Sequence, residues 1–330
     1  MPQTQSTLPT TEHFKIEKLA EGAYAALGRA GGAAYSNAGI IDLGDQTLIF
    51  DTFNTPQAGK ELRTAAEQLT GRPANYVIIS HAHADHWCGN QAFDPHTPII
   101  ATHKTRETMP GATDWLQGYK KDPTALEKQI QEDRKRLEAE TDPRWRASIE
   151  RSIAGMRHVL EGLPTLELRL PNWTFDGRLD FHGTQRTAEL ITSGPGHTPS
   201  DAYLVLPAEG IMFMGDLGFF QCQPFMVFCE PAAWTAQLEQ MERSEIEVFV
   251  PGHGPLGTKA DLALQRRYIT LLDELVIKII KQGGSAEQAV QQVQAALPAP
   301  FDAWLEGGMA RYEANVWSAH ERLSATVEAA

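Results

Sequence analysis

Cysteine is scarce: Cys88, Cys222 and Cys229 are the three in 330 residues, and no two form a C-x-x-C pair. They supply no disulfide framework and fit a reducing compartment. Basic charge is also short, with 29 Lys and Arg against 42 Asp and Glu and a net charge of −13. That balance argues against a dedicated binder of nucleic acid or of an anionic membrane, which carries a basic footprint. Long apolar runs are missing. Stretches such as Tyr76–Ile79 and Ile211–Met214 fall far below the roughly 20 residues needed to cross a bilayer. The N-terminus, MPQTQSTLPTTEHFKIEKLAEG, has neither a basic nor an apolar targeting segment. These absences predict a soluble, cytoplasmic protein whose partner is a small-molecule substrate, not a nucleic acid or a membrane.

Residues 1–13 read as a disordered start, its first ten rich in Thr, Gln and Pro. Residues 14–258 read as one mixed strand-and-helix domain, and 259–330 as a C-terminal helical extension. Gly39–Leu43, Thr47–Asp51 and Tyr76–Ser80 have strand character. Between the last two lies a helix with Thr55 as N-cap, Pro56 first, and Leu62, Ala65, Ala66 and Leu69 as its apolar face.

From about residue 104 to 163 the chain becomes highly charged and its period helical. Asp122-Pro123 and Asp142-Pro143 are two cap–proline starts, and Trp145, Ile149, Ile153, Met156 and Leu160 then recur at helical spacing. This predicts a helical hairpin inserted between two β-rich halves, beside the site entrance, with its mixed charges on a solvated face. Strand character resumes at Leu166–Leu170, Thr187–Thr192, Ala202–Leu206, Ile211–Gly215 and Glu247–Pro251, interrupted by a helix over about Ala232 to Arg243. Tyr268, Leu271, Leu275 and Ile279 form a helical stripe, and Ser285 with Gln288 a capping box for the next helix. The C-terminal helices are candidates for covering the core or for a homodimer contact.

The strongest chemical signal is Ser80-His81-Ala82-His83-Ala84-Asp85-His86, directly after the apolar run Tyr76–Ile79. Imidazole and carboxylate are suitable ligands for zinc and related divalent metals. Three more candidates stand just past apolar runs: His197 after Glu189–Thr192, Asp216 after Ile211–Met214, and His253 after Val248–Val250, each beside a glycine. Ligands collect at strand ends in α/β folds, and glycine lets backbone approach closely. Singly each signal is weak; together, in this order, they are specific. His96, His103, His158 and His182 lack such a setting and read as structural or exposed.

The set His81-x-His83-x-Asp85-His86, then His197, Asp216 and His253, resembles the ligand pattern of the metallo-β-lactamase superfamily. The resemblance covers about residues 14–258 apart from the insert. It implies an α/β fold, the four-layer αβ/βα sandwich, with two divalent metals at one edge of the sheets. Zinc is the expected metal, with iron or manganese as alternatives. By that pattern His81, His83 and His197 hold the first metal, Asp85, His86 and His253 the second, and Asp216 bridges them. Asp51 resembles the family's aspartate below the metal loops, and equally suits a strand-end turn. The metals would make a bridging water a hydroxide near neutral pH, with Asp85 and Asp216 as catalytic residues.

The bridging aspartate resembles glyoxalase-II-like thioesterases, lactonases and phosphodiesterases more than true zinc β-lactamases. With no phosphate-cradling loop, this favours hydrolysis of a carbonyl ester, thioester or lactone. β-Lactam hydrolysis, an iron-dependent persulfide oxygenase and a non-catalytic metal-binding protein are the alternatives. Cys88 and Cys222 read as small buried residues rather than ligands. Phe219, Phe220, Phe225, Met226, Val227 and Phe228 either line an apolar pocket or cover a core edge. Tyr35 and Phe53 read as surface packing.

Overall fold

The computed structural model describes residues 8–304 and 308–328. Residues 1–7 of the start expected to be disordered, and residues 305–307 and 329–330 of the expected extension, lie outside them. Seven strands form the first sheet in sequence order: β1 Phe14–Ala20, β2 Ala23–Gly28, β3 Ala38–Asp42, β4 Thr47–Phe50, β5 Tyr76–Ile78, β6 Ile99–Thr102 and β7 Trp173–Phe175. β1 to β4 pair antiparallel, and β4 to β7 parallel. The second sheet holds β8 Arg178–His182, β9 Thr187–Gly194, β10 Asp201–Leu206, β11 Ile211–Phe219 and β12 Val248–His253, ordered β12-β11-β10-β9-β8. Only β11 and β12 run parallel there, because helix α6 Pro231–Glu242 makes the crossover between them.

Three apolar cores separate four layers. Between the sheets, Ile41, Leu48, Phe50 and Ile78 meet Leu190, Leu204 and Phe213. On the outer face of the first sheet, helix α1 Pro56–Thr70 buries Ala58, Leu62, Ala65 and Ala66 against Ile40, Ile49 and Val77. Thr55 caps α1 by accepting from the Ala58 N–H at 3.2 Å, with Pro56 in the first turn. On the outer face of the second sheet, Phe219 and Phe249 pack under Trp234 and Leu238 of α6 and under Tyr268, Leu272 and Val276. The last three belong to α7 Lys259–Lys281, so this part of the C-terminal region covers the core. After it come α8 Ala286–Ala296, started by the Ser285–Gln288 capping box, and α9 Gly308–Glu328.

The insert is helical but is not a single hairpin. It comprises α2 His103–Ala112, α3 Asp114–Lys121, α4 Thr124–Ala139 and α5 Pro143–Gly162. Asp142 caps α5 as expected, accepting from Arg144 N–H at 2.8 Å. At the other start Pro123 takes the cap position, and Asp122 accepts from Thr124 N–H at 3.1 Å. Leu116, Leu126, Ile130 and Ile153 of the insert enclose Ala84 and Cys88 of the His81–His86 region. The insert therefore packs directly on that region.

Leu166–Leu170 is not a strand. Its backbone is held by side chains instead: Glu167 N–H donates to Gln91 Oε1, and Arg169 C=O accepts from Asn90 Nδ2. Arg169 in turn donates to the carbonyls of Phe93, Asp94, Pro95 and Thr97. Leu166 packs in the insert core, Leu170 against the α1 core, and Leu168 between them against both. Alternation is real here, but it serves two cores rather than two faces of a ladder.

Candidate metal centre

Parallel strands β4, β5 and β6 end on one edge, where the chain leaving β5 carries His81 and His83 in the connecting loop and Asp85 and His86 in a 3₁₀ turn, Ala84–His86. The second sheet brings His197 from the loop after β9, Asp216 from β11 and His253 from the end of β12. Asp216 lies inside a strand rather than past its end. β11 continues to Phe219, with register shifts on both sides of Gly215, and this bulge re-aims the following side chain. Gly215 has φ 53°, and a Cβ there would collide with the Ser80 side chain. A glycine at this point lets the two sheets' site segments touch.

The structure brings all seven candidate ligands together in two groups. His81, His83, His197 and Asp216 form one, and Asp85, His86 and His253 the other, with ligand atoms of each group within 4.8 Å of one another. Asp216 faces both. Its Oδ2 lies 3.2 Å from His197 Nε2 and 3.6 Å from His81 Nε2, and its Oδ1 lies 3.0 Å from His86 Nε2 and 3.4 Å from His253 Nε2. Asp85 Oδ2 lies 3.1 Å from His253 Nε2.

The donor set fits divalent cations. His81 Nε2, His86 Nε2 and Asp216 Oδ1 are buried without a hydrogen bond despite these short separations. Buried polar atoms are seldom left so, and atoms that converge on a common point without bonding one another suit a cation between them. His83 and Asp85 are the half-buried members, so the cluster opens on their side.

Protonation differs across the cluster. Burial, then the neighbouring His86, hold His81 well below the usual imidazole value. Burial and His197 bring His83 down to about 3. Burial also works against charge on His86, but Asp216, Asp85 and Asp51 outweigh it and hold that imidazole well above its ordinary value. At His253 burial is likewise outweighed, by Asp216 and Asp85, and the value rises to about 9. Burial opposes ionisation of Asp85 and Asp216 too, yet the surrounding imidazoles keep both well below the carboxylate range.

Asp51 is fully buried and holds φ 61°, a left-handed conformation that aspartate tolerates better than most residues. It accepts from Ser80 N–H and Ser80 Oγ–H at 2.8 Å each, and its Oδ2 lies 2.8 Å from His86 Nδ1. The Nδ1 proton of His86 is thereby fixed, and Nε2 is the nitrogen turned toward the cluster.

Aromatic residues wall the site. Phe219 stacks on His253 at 5.0 Å, Trp234 meets the His197 ring edge-on at 5.3 Å, and Phe225 and Phe228 stand 5.7 and 5.9 Å from His83. The 219–228 segment thus does both of its expected jobs: Phe219 and Phe220 are buried, whereas Phe228 is exposed beside His83. The Tyr35 ring lies 5.2 Å from that of His253, and its hydroxyl accepts from Arg311 of α9 at 2.8 Å. Phe53 is core, packed on Phe14. Cys88 and Cys222 are buried thiols outside both ligand groups.

Sequence reasoning missed Asn37, Asp201, Trp234 and Arg311 as members of this region. Asn37 donates through Nδ2 to the carbonyls of Pro251 and Gly254, pinning the Tyr35 loop to β12. Asp201 accepts from Thr198 N–H and Oγ–H, holding the His197 loop, and burial lifts its carboxyl to about 6 against His197 and Thr198. An acid four residues past His197 was a readable signal; nothing in the sequence linked Arg311 to the cluster.

A family model described as the metallo-beta-lactamase superfamily matches residues 31–253. Among solved structures, a metallo-β-lactamase from Pontibacter korlensis aligns with TM-score 0.56 and 15% identity, covering 78% of this chain and 99% of its own. The metallo-β-lactamase FIM-1 from Pseudomonas aeruginosa, in its mono-zinc form, aligns with TM-score 0.54 and 15% identity over 80% of this chain and 98% of its own. A double mutant of the sec-alkyl sulfatase PisA1 aligns with TM-score 0.65 and 15% identity, over 94% of this chain and 50% of its own. These likenesses concern the fold. No curated protein matches the sequence.

Proposed function

The chain belongs to the metallo-β-lactamase superfamily, and from that premise we propose that it is a two-metal hydrolase of carbonyl esters, thioesters or lactones. The observation that carries this reading is Asp216, which turns one carboxylate oxygen toward each ligand group. A carboxylate in that place resembles the thioesterase and lactonase branches. His81, His83 and His197 would hold one cation, Asp85, His86 and His253 the other, and Asp216 both. Zinc suits the nitrogen and oxygen donors, as do iron and manganese. Cations bound there supply Lewis acidity that activates water and polarises a substrate oxygen.

The chain's own residues do the rest. Asp51 keeps the His86 proton on Nδ1. Asp85, half-buried at the open side, is the base placed to accept a proton. Phe219 and Trp234 cover the imidazoles from water on the inner side.

Sulfate-ester cleavage is the second reading. What favours it is the sulfatase likeness, which extends over 94% of this chain, together with the Arg311 guanidinium over the Phe219 and Phe225 rings at the site. A panel of ester, thioester, lactone, sulfate-ester, phosphodiester and β-lactam substrates, run with metal analysis on one preparation, tests both. Metal-dependent turnover of a carbonyl ester, thioester or lactone is expected. Turnover confined to sulfate esters would select the second reading, and no turnover at full metal occupancy would overturn hydrolysis.

A further inference from the structure

A cavity of about 1200 Å³ lies between the Gly31-Gly32 loop and the helical insert. That exceeds the roughly 300–1,000 Å³ of ordinary small-molecule pockets. Tyr35, Asn37 and Gly254 form its inner end. Because Tyr35 lies against His253, the cavity starts beside the second ligand group. At the insert, Trp115 and Tyr119 form an aromatic pair 5.7 Å apart on its wall, and Trp115 is 52% exposed. An indole left half open inside a concave wall offers an apolar surface for a ligand chain.

The charge of the wall is one-sided. Lys15, Arg29, Arg144 and Arg151 line it and no Asp or Glu does, although the whole chain carries −13. Lys15 and Arg144 are neutralised by Glu17 at 2.7 Å and Asp142 at 2.8 Å. Arg29 donates only a long bond, 3.4 Å, to the Thr11 carbonyl, and among the described residues neither Arg29 nor Arg151 forms an ion pair. The fold sets these two guanidinium groups on one wall. Gly31 has φ 75°, and a Cβ there would stand 3.1 Å from Ala154 Cβ and 3.9 Å from Arg151 Cα. The Arg29 loop is therefore laid directly on the turn of α5 that carries Arg151.

We propose that this cavity holds the non-reacting arm of the substrate, an apolar chain ending in a carboxylate received by Arg29 and Arg151. The planar guanidinium fork matches a carboxylate, and charge-assisted bonds are the stronger kind. Trp115 and Tyr119 take the chain, and the ester sits at the His83 and Asp85 side. This deepens the carbonyl-ester reading and rests on it.

The test uses two matched probe pairs on the metal-loaded protein and the Arg29→Gln, Arg151→Gln double variant. The first pair is the mono-p-nitrophenyl ester of adipic acid and p-nitrophenyl hexanoate. The ratio of their kcat/KM values should fall about tenfold in the variant, through KM of the charged ester. The second pair, 6-phenylhexanoate and 6-phenylhexanol, is not hydrolysed and is read by calorimetry. The acid should lose about tenfold in affinity in the variant, and Trp115→Ala should weaken acid and alcohol alike. An unchanged acid-to-alcohol preference in the folded double variant would overturn the proposal whether or not esters are cleaved. A lost preference without ester turnover would support the cavity assignment while overturning the carbonyl-ester reading.

Discussion

The two halves of the cluster use the same side chains and hold them in opposite protonation states. His81 and His83, around the first candidate cation, are pushed toward the neutral form, whereas His86 and His253, around the second, are held charged. Burial disfavours charge in both halves. What differs is carboxylate placement: Asp51 and Asp85 lie on the His86 side, whereas among the described residues the shared Asp216 is the carboxylate within 4 Å of His81 and His197. The first half is therefore ready for a cation as it stands, and the second must give up protons to take one.

Asp216→Asn should have the largest effect, because it removes the one carboxylate both halves use. Turnover should fall by more than about a hundredfold, beyond the 10–100-fold typical of groups that only support a ligand, and at least one metal should be lost from folded protein. Metal content and turnover on the same preparation check this; two metals with near wild-type turnover would remove Asp216 from the mechanism.

Asp51→Asn should separate the halves. It takes the anionic acceptor from His86 Nδ1, whereas Asp51 reaches His81 only through the Ser80 hydroxyl and makes no contact with His83 or His197. Affinity for the second metal should fall about 10–100-fold with the first retained, read by titrating metal into stripped protein. Equal loss at both sites would show that the halves are not independent.

The pH dependence of stability sharpens the contrast further. In metal-stripped protein His253 is raised from 6.5 to about 9, so its contribution is complete below 6.5 and lost as pH rises through 9. His83, lowered from 6.5 to about 3, acts oppositely: its neutral form is favoured by the fold, so stability is lost as pH falls from 6.5 toward 3. Thermal unfolding of stripped protein should thus weaken at both ends, and metal loading should remove the alkaline loss. An alkaline decline of the same size with metals bound would break the assignment of His253 to a cation.

Trp234→Phe should have the smallest effect. It removes the Nε1–H bond to the Leu217 carbonyl at 3.0 Å and the ring edge against His197. About 1 kcal/mol of stability should go, measured by denaturant unfolding, with metal content unchanged.

The cluster was legible because its ligands follow apolar runs in chain order, and both the runs and the imidazoles are visible in sequence. Strands β1 and β2 were not picked out: AYAALG is mostly alanine and glycine, which carry little strand signal. β6 to β8 are only three to five residues long, and the helical insert parts β6 from β7. Leu166–Leu170 misled because period-two alternation cannot distinguish a ladder from a loop whose backbone is bonded by Arg169, Asn90 and Gln91. Arg311 was out of reach since only the folding of α9 onto Gln223 and Tyr35 brings it to the site.

The split origin of the cluster has a mechanical consequence. Four of its members leave the first sheet and three come from the second, so any cation seated among them is also a rivet across the seam of the sandwich. Occupancy then biases the docked arrangement by mass action, by about 4 kcal/mol when free metal is a thousand times its dissociation constant. Chelation should accordingly loosen the seam before either layer: amide exchange should quicken first at Asn37 and Ala202, whose N–H groups donate across it to the carbonyls of Gly252 and Ser80.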